Sequence, residues 1–255
     1  MSTGTPTLAA AGPSDPQQID RLLAEIAPEA PYLQGKFLVK TGDRANAVSV
    51  ASLFASGSFD EILARLSQRH GSADRRALVS YWTLYYFSTL SITPILLWQR
   101  AGLVLPLALE QTSVILSTET GLPEAFVLEN AGKVHDRPEV GDALRDMLEH
   151  LTQAIAFLSE SYGVSSRLLW SNAAGYMDWV MRELSQGNDA PSGLELFERA
   201  VLANGAPNPL RGLITRVPHP ETGAPISRRK VCCLRYLVPG VSGCGMVCPI
   251  PSGRT

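Results

Sequence analysis

The feature that most constrains this chain is an uncharged stretch of twenty-one residues, 78–98, with the sequence LVSYWTLYYFSTLSITPILLW. One helix of that length could span a bilayer. Six serines and threonines, three tyrosines and Pro94 make the stretch too polar for a lipid-facing span, and arginines flank it on both sides. We therefore expect a pair of buried core helices, bent or broken at Pro94, and no stable membrane span.

Composition and charge limit the class of protein further. A chain of 255 residues that is 45% hydrophobic can fill a sizeable core without cross-links. A net charge of −2 with 18% charged residues leaves no broad basic surface, which excludes nucleic acid as the main partner. The first residues lack the basic and apolar segments of a secretory signal, so we expect a cytoplasmic protein whose thiols stay reduced.

Apolar periodicity predicts an α+β fold, with a mainly helical body over 15–205 that follows a disordered tail at 1–14. The predicted helices cover 16–26 with Asp15 as cap, 58–69 with Ser58 as cap and Gly71 as terminator, 136–162, 165–184, and a last one from Ser192 to about 205. A small β element is predicted from a strand at 36–40 and a hairpin of 113–116 with 125–128.

All the cysteines of the chain lie in its last twenty-four residues, at Cys232, Cys233, Cys244 and Cys248. The surrounding segment, 206–255, is rich in proline and glycine, which predicts an irregular, loop-built region that packs on the helical body. Because the thiols are concentrated in one segment, we expect them to bind a metal ion or a cluster.

The spacing of these cysteines bears on the kind of site. Structural zinc sites usually combine two Cys-x2-4-Cys turns, whereas adjacent cysteines in an extended strand point to opposite faces. A vicinal disulfide would be strained and would leave Cys244 and Cys248 unexplained. A 2Fe-2S cluster accommodates the adjacent pair better, since two separate irons share four thiolates. Spacing alone favours an iron-sulfur cluster and leaves zinc and a disulfide open.

The residues around the cysteines form the run RRKVCCLRY at 228–236, followed by Pro239, Gly240, Cys244, Cys248 and Pro249. This run resembles the C-terminal signature of the FhuF family of ferric-siderophore reductases. The segments 105–107 and 170–174 are similar to the helical body of that family, though less specifically.

The FhuF family carries a 2Fe-2S cluster on the pattern Cys-Cys, ten residues, Cys, two residues, Cys. The resemblance therefore implies a 2Fe-2S cluster with four metal ligands: Cys232, Cys233, Cys244 and Cys248. This chain departs from the pattern at one place, because three residues separate Cys244 from Cys248. The extra residue changes how the two thiolates converge, and glycines at 243 and 245 give the loop freedom to accommodate it.

The resemblance implies a cytoplasmic ferric-siderophore reductase that transfers one electron to siderophore-bound Fe(III) and releases Fe(II). Its expected partners are a ferric siderophore as substrate and an electron donor such as a ferredoxin or a flavin reductase. No catalytic residue is expected beyond the cluster ligands. The cations nearest in sequence are candidates for docking an anionic substrate or an acidic donor; they are Arg228, Arg229, Lys230 and Arg235.

Two alternatives remain open at this point. One is a binding module for a siderophore or metabolite, with structural zinc on the cysteines. The other is an iron-sulfur electron carrier or sensor without a substrate of its own.

Overall fold

One long helix organises the fold. The computed structural model describes residues 17–41, 46–55, 57–71, 73–136, 138–184 and 193–250. The α-helices are α1 (Gln18–Ile26), α2 (Val50–Ala55), α3 (Ser58–His70), α4 (Arg75–Ala101), α5 (Val140–Ala143), α6 (Arg145–Tyr162) and α7 (Ser166–Trp179), which continues into a π-helical segment, Val180–Leu184. The strands are β1 (Phe37–Val39), β2 (Ala47–Ser49), β3 (Leu103–Val104), β4 (Thr112–Leu116), β5 (Pro123–Leu128), β6 (Lys133–Val134), β7 (Ile214–Pro218) and β8 (Pro225–Arg229). Short 3-10 turns lie at Pro31–Leu33, Leu109–Gln111, Leu194–Phe197, Arg235–Leu237 and Gly245–Val247.

Helix α4 contains the whole uncharged stretch and lies at the centre of the core. It contacts α3, α6, α7 and β5, so its side chains are buried on nearly every side. The Asp74 carboxylate caps it by accepting the backbone N–H of Arg76 at 2.8 Å, and Gly102 ends it in the left-handed conformation. The buried Thr83 hydroxyl of the stretch donates to the Ser80 carbonyl, one turn earlier, at 2.7 Å.

The expectation of two helices over this stretch is wrong, because α4 continues as one helix through the buried Pro94. Proline removes one backbone hydrogen bond, and the elements packed around α4 hold the two halves of the helix together. No helix in the described parts of the chain combines the length and apolar character that a bilayer crossing requires.

A four-stranded sheet with the order β1-β5-β4-β2 packs against α4. The predicted β4-β5 hairpin is confirmed and is antiparallel, with Val114 opposite Phe126. The predicted first strand is also confirmed, and it pairs with β5 in parallel. Phe126 contacts Tyr86 of α4, with ring centroids 5.1 Å apart, and thereby joins the sheet to the helical core.

Most of the predicted helices are present, with two corrections to their extent. The predicted long helix starts at Val140 rather than 136 and is interrupted at Leu144, between α5 and α6. The helix predicted up to 205 is wrong over its described part, where only the turn Leu194–Phe197 forms. Asn208 explains this, because its side-chain amide donates to the carbonyls of Leu196 and Arg199 and holds the chain in a loop.

Two further sequence predictions concern helix ends. Gly57, and not Ser58, occupies the N-cap position of α3, whereas Gly71 follows the helix as predicted. The tail at 1–14, the cap Asp15 and the start at Ser192 lie outside the described residues.

The C-terminal region is more regular than its composition predicts. Strands β7 and β8 form an antiparallel hairpin, with Val217 opposite Ile226, and this hairpin packs on α7. Residues 206–213 before the hairpin and the residues after Arg229 are loop-built, as predicted. The hairpin therefore attaches the cysteine-containing residues to the helical body.

Candidate metal centre

The four cysteines lie in the segment that follows β8, which we call the cysteine loop (residues 230–250). All four are free thiols; Cys233 and Cys248 are buried, and Cys232 and Cys244 are half-buried. Cys233 Sγ and Cys244 Sγ lie 3.1 Å apart. The fold thus brings together two thiols that are eleven residues apart in the sequence.

The backbone after the adjacent pair has an unusual conformation. Leu234 has a φ of 60°, in the left-handed region that non-glycine residues seldom adopt. The Leu234 backbone N–H donates to Cys232 Sγ at 3.4 Å. Donation of an N–H to sulfur stabilises the thiolate over the thiol, so this turn suits Cys232 as a ligand of a metal or cluster.

A hydrogen-bond network connects the cysteine loop to two helices of the body. Ser80 Oγ of α4 donates to the carbonyl of Cys233 at 2.7 Å. The Asn172 side chain of α7 donates to Ser80 Oγ at 3.0 Å and accepts from Arg229 Nη1 at 3.1 Å. Arg229 Nη2 in turn donates to Cys233 Sγ at 3.2 Å. A buried cation is therefore held directly against a buried sulfur.

The electrostatics of the thiol pair follow from these contacts. The hydrogen bond from the Cys244 thiol lowers the pKa of Cys233, and the Arg229 charge lowers it further against the effect of burial. The same hydrogen bond raises the pKa of Cys244. Burial opposes the charge of Arg229, yet the Cys233 thiolate and the neighbouring Cys244 sulfur outweigh this effect and raise the Arg229 pKa. The fold stabilises one thiolate with one guanidinium.

The extra residue between the last two cysteines is accommodated by a 3-10 turn. Gly245 starts this turn with a φ of 61°, and Cys248 N–H donates to Gly245 O at 3.1 Å. Arg228 Nε donates to the Met246 carbonyl at 3.2 Å and fixes the turn against β8. Glycine at 245 provides the left-handed conformation that the turn needs.

The four cations proposed from the sequence occupy different environments. Arg229 is buried beside Cys233, and Arg235 lies on the wall of a cavity. Arg228 contacts the Met246 carbonyl, and Lys230 is exposed. Only Arg229 and Arg235 line the cavity described next.

A cavity of about 720 Å³ lies between α7, the β7-β8 hairpin and the cysteine loop. Cys244 lines it, together with Asn172, Asp178 and the two arginines. Most of the wall is apolar or aromatic; these residues include Tyr32, Leu84, Ile92, Tyr176, Trp179, Ile214, Ile226, Met246 and Val247. The cavity is large enough for a small organic ligand and brings such a ligand to the thiols.

Tyr32, Tyr176 and Trp179 are cavity residues that the sequence analysis did not propose. The signal for two of them was present in α7, where 172, 176 and 179 recur at helical spacing and share a face. Tyr32 belongs to a distant turn and had no such signal.

Soft thiolate donors of this kind could hold zinc or an iron-sulfur cluster. Among the residues that the structure describes, no three His, Cys, Asp or Glu side chains are grouped around a single ion position. The contacting pair Cys233 and Cys244 is the most closely assembled part of the site.

Comparison with known proteins identifies the family of the chain. Residues 80–216, more than half of the chain, match the family of ferric iron reductase FhuF-like transporters, and the chain belongs to this family. It is also similar to the ferric siderophore reductase of Escherichia coli (strain K12), with 25% identity over 249 residues that cover 91% of each chain. The family expected from the cysteine run is therefore confirmed. The matched residues end before Cys232, so the helical body carries the membership independently of that run.

Proposed function

We propose that this protein is a cytoplasmic ferric-siderophore reductase that holds a 2Fe-2S cluster on Cys232, Cys233, Cys244 and Cys248. The observation that carries the proposal is the cavity of about 720 Å³ whose wall includes the Cys244 thiol. A bound ferric chelate would lie against a proposed cluster ligand. The family description and the name of the Escherichia coli relative support the same activity.

The residues present fit an anionic, thiolate-bound group. Two of the proposed ligands, Cys233 and Cys244, already lie in contact. Sulfur atoms receive donors from the Leu234 backbone N–H and from the Arg229 guanidinium. Such donors to thiolate ligands are typical of iron-sulfur sites and tune their potential.

The chain's own residues would bind and orient the substrate. A 2Fe-2S cluster, when bound, supplies a one-electron carrier. Aromatic residues such as Tyr176 and Trp179 would pack on the organic part of the chelate, and Arg235 would face its negatively charged oxygens. This arrangement holds the Fe(III) complex beside Cys244 and excludes water from their contact.

The overall reaction balances with one electron. Siderophore-bound Fe(III) takes up one electron and leaves as Fe(II), which hard oxygen donors bind much more weakly. An external one-electron donor, such as a ferredoxin or a flavin reductase, replaces that electron. No proton or hydride transfer by a side chain is required.

The experiment is anaerobic purification followed by assays of iron, acid-labile sulfide and visible absorption. We expect iron and sulfide in equal amounts, and stoichiometric reoxidation of the dithionite-reduced protein by a ferric siderophore. Replacing Cys232 or Cys233 with Ser should abolish the visible spectrum. A colourless protein with one zinc would support the binding module instead, and a cluster that no ferric siderophore reoxidises would support a carrier or sensor.

A further inference from the structure

Asn172 is an unusual residue for the centre of a buried helix. It is 1% exposed, and its neighbours in α7 are Ser171, Ala173 and Ala174. A buried amide is costly unless its donors and acceptor are paired. Here Nδ2 donates to Ser80 Oγ at 3.0 Å and to Thr83 Oγ1 at 3.2 Å, while Oδ1 accepts from Arg229 Nη1 at 3.1 Å.

The two hydroxyls determine which way the amide faces. Ser80 Oγ–H already donates to the Cys233 carbonyl, and Thr83 Oγ1–H already donates to the Ser80 carbonyl. Both oxygens can therefore only accept from Asn172, which places Nδ2 on their side. The amide oxygen is left facing β8, where it meets the guanidinium.

Arg229 is held at this position without losing its charge. It is 6% exposed, one of its terminal nitrogens contacts Asn172, and the other contacts Cys233 Sγ. The partner that orients the Arg229 guanidinium is the neutral side-chain amide of Asn172, which does not cancel its charge. The buried carboxylate on the same cavity, Asp178, instead accepts from Arg182 and Ser227. The positive charge of Arg229 therefore acts mainly on the sulfur.

The backbone of α7 also accommodates the arginine. A Cβ at Gly175 would lie 3.3 Å from Arg229 Cδ, so the missing side chain lets the arginine stem lie across the helix. Gly175 and Asn172 are one turn apart on the same face. Together they form the surface of α7 on which the Arg229 side chain packs.

We propose that Asn172 is a positioning residue that holds the Arg229 guanidinium on Cys233 Sγ and leaves its charge unneutralised, which raises the reduction potential of the site. This inference rests on the proposed function, because it concerns the cluster that the cysteines would hold. A fixed cation beside a thiolate stabilises the more negative, reduced state more than the oxidised state. Asn172 acts through Arg229 and does not itself contact the thiols.

The test is a redox titration of the iron-loaded protein and five variants, monitored by visible absorption. We expect N172L and R229Q each to shift the midpoint potential to more negative values, and the double variant N172L/R229Q to match R229Q alone. N172D keeps the size and the acceptor but adds a neutralising charge, so its potential should also become more negative. S171A removes a neighbouring buried hydroxyl outside the network and should leave the potential unchanged.

An N172L potential equal to that of the parent protein would overturn the inference and leave the reductase function standing. So would full additivity in the double variant, since Asn172 would then not act through Arg229. Absence of iron and sulfide from the parent protein would overturn the function, and the inference with it. If the Asn172 variants lose iron, the same set without iron is compared by urea unfolding. If the changes in the urea midpoint caused by the two single variants do not add up in the double variant, Asn172 and Arg229 are coupled as proposed; if they do add up, the inference is overturned.

Discussion

Ser80 Oγ in the central helix donates a 2.7 Å hydrogen bond to the backbone carbonyl of Cys233, which lies 153 residues later in the chain. This bond attaches the backbone of the adjacent cysteines, Cys232 and Cys233, to α4, the most deeply buried helix of the fold. The position of the cysteine loop is therefore determined by the packing of α4 and not by the loop sequence alone.

Replacing Ser80 with Ala should destabilise the protein by about 1–3 kcal/mol, because it leaves a buried carbonyl and part of the Asn172 amide without partners. Urea unfolding of the metal-free protein measures this change. Ser88 of the same helix offers a control, since its hydroxyl donates only to the Tyr85 carbonyl one turn earlier. S88A should cost less than about 0.5 kcal/mol; equal losses in the two variants would contradict a special role for Ser80.

Replacing Trp179 with Ala should weaken binding of the ferric siderophore without affecting the metal centre. Trp179 lies on the cavity wall and is 37% exposed there, so a ligand can bury its ring. Loss of that contact should raise Kd by about tenfold, equivalent to about 1.4 kcal/mol. Titration of the protein with the ferric chelate measures Kd, and the iron content should be unchanged.

The control is V201A, which truncates an exposed apolar residue outside the cavity wall and should leave the Kd unchanged. An unchanged Kd in W179A would place the substrate elsewhere.

Replacing Gly175 with Ala should disturb the metal centre although alanine favours helices. The new Cβ would lie 3.3 Å from Arg229 Cδ, and Arg229 is held at both terminal nitrogens. We expect the guanidinium to move away from Cys233, with a changed visible spectrum of the iron-loaded protein. Gly141 is the matched control, since a Cβ there would meet the flexible end of Arg199 at 3.3 Å and Ala203 Cβ at an ordinary van der Waals distance of 3.5 Å. If the spectrum changed equally in G141A and G175A, Gly175 would not be needed to let Arg229 pack on α7.

His150 should make stability depend on pH in the acidic range. The side chain is 0% exposed; Nδ1–H donates to the Leu107 carbonyl at 2.8 Å, and the Tyr86 hydroxyl donates to Nε2. Burial lowers the pKa of His150 from its usual 6.5 to about 4. Between these two values the unfolded chain binds the proton more readily than the folded one, so stability falls as the pH drops from 6.5 towards 4.

The loss of unfolding free energy that is linked to His150 should reach about 3 kcal/mol when the pH has fallen from 6.5 to about 4. Urea unfolding at a series of pH values measures it. In H150Q the overall stability should be lower, but the part of the pH dependence that is due to His150 should disappear. An identical pH profile in the parent protein and H150Q would contradict this prediction.

Local patterns predicted the elements that local physics controls. The β4-β5 hairpin follows from two apolar runs around a turn, and α3 follows from apolar spacing closed by Gly71. Pro94 shows where such patterns fail, because a proline that would break an isolated helix is tolerated in a helix packed on nearly every side. The β7-β8 hairpin was hidden by the prolines at the turn end of each strand, Pro218 and Pro225, although Val217 and Ile226 still pair across it.

The sequence by itself determined the family, the set of candidate ligands and their location in one segment, because these depend on residue type and spacing. Only the tertiary structure decided which thiols meet, which arginine faces them and where a ligand could bind. Cys233 contacts Cys244 because the loop folds back, and Arg229 reaches Cys233 because Asn172 and Gly175 of α7 receive it. These contacts join residues far apart in the chain, and packing of the helical core, rather than any local propensity, brings them together.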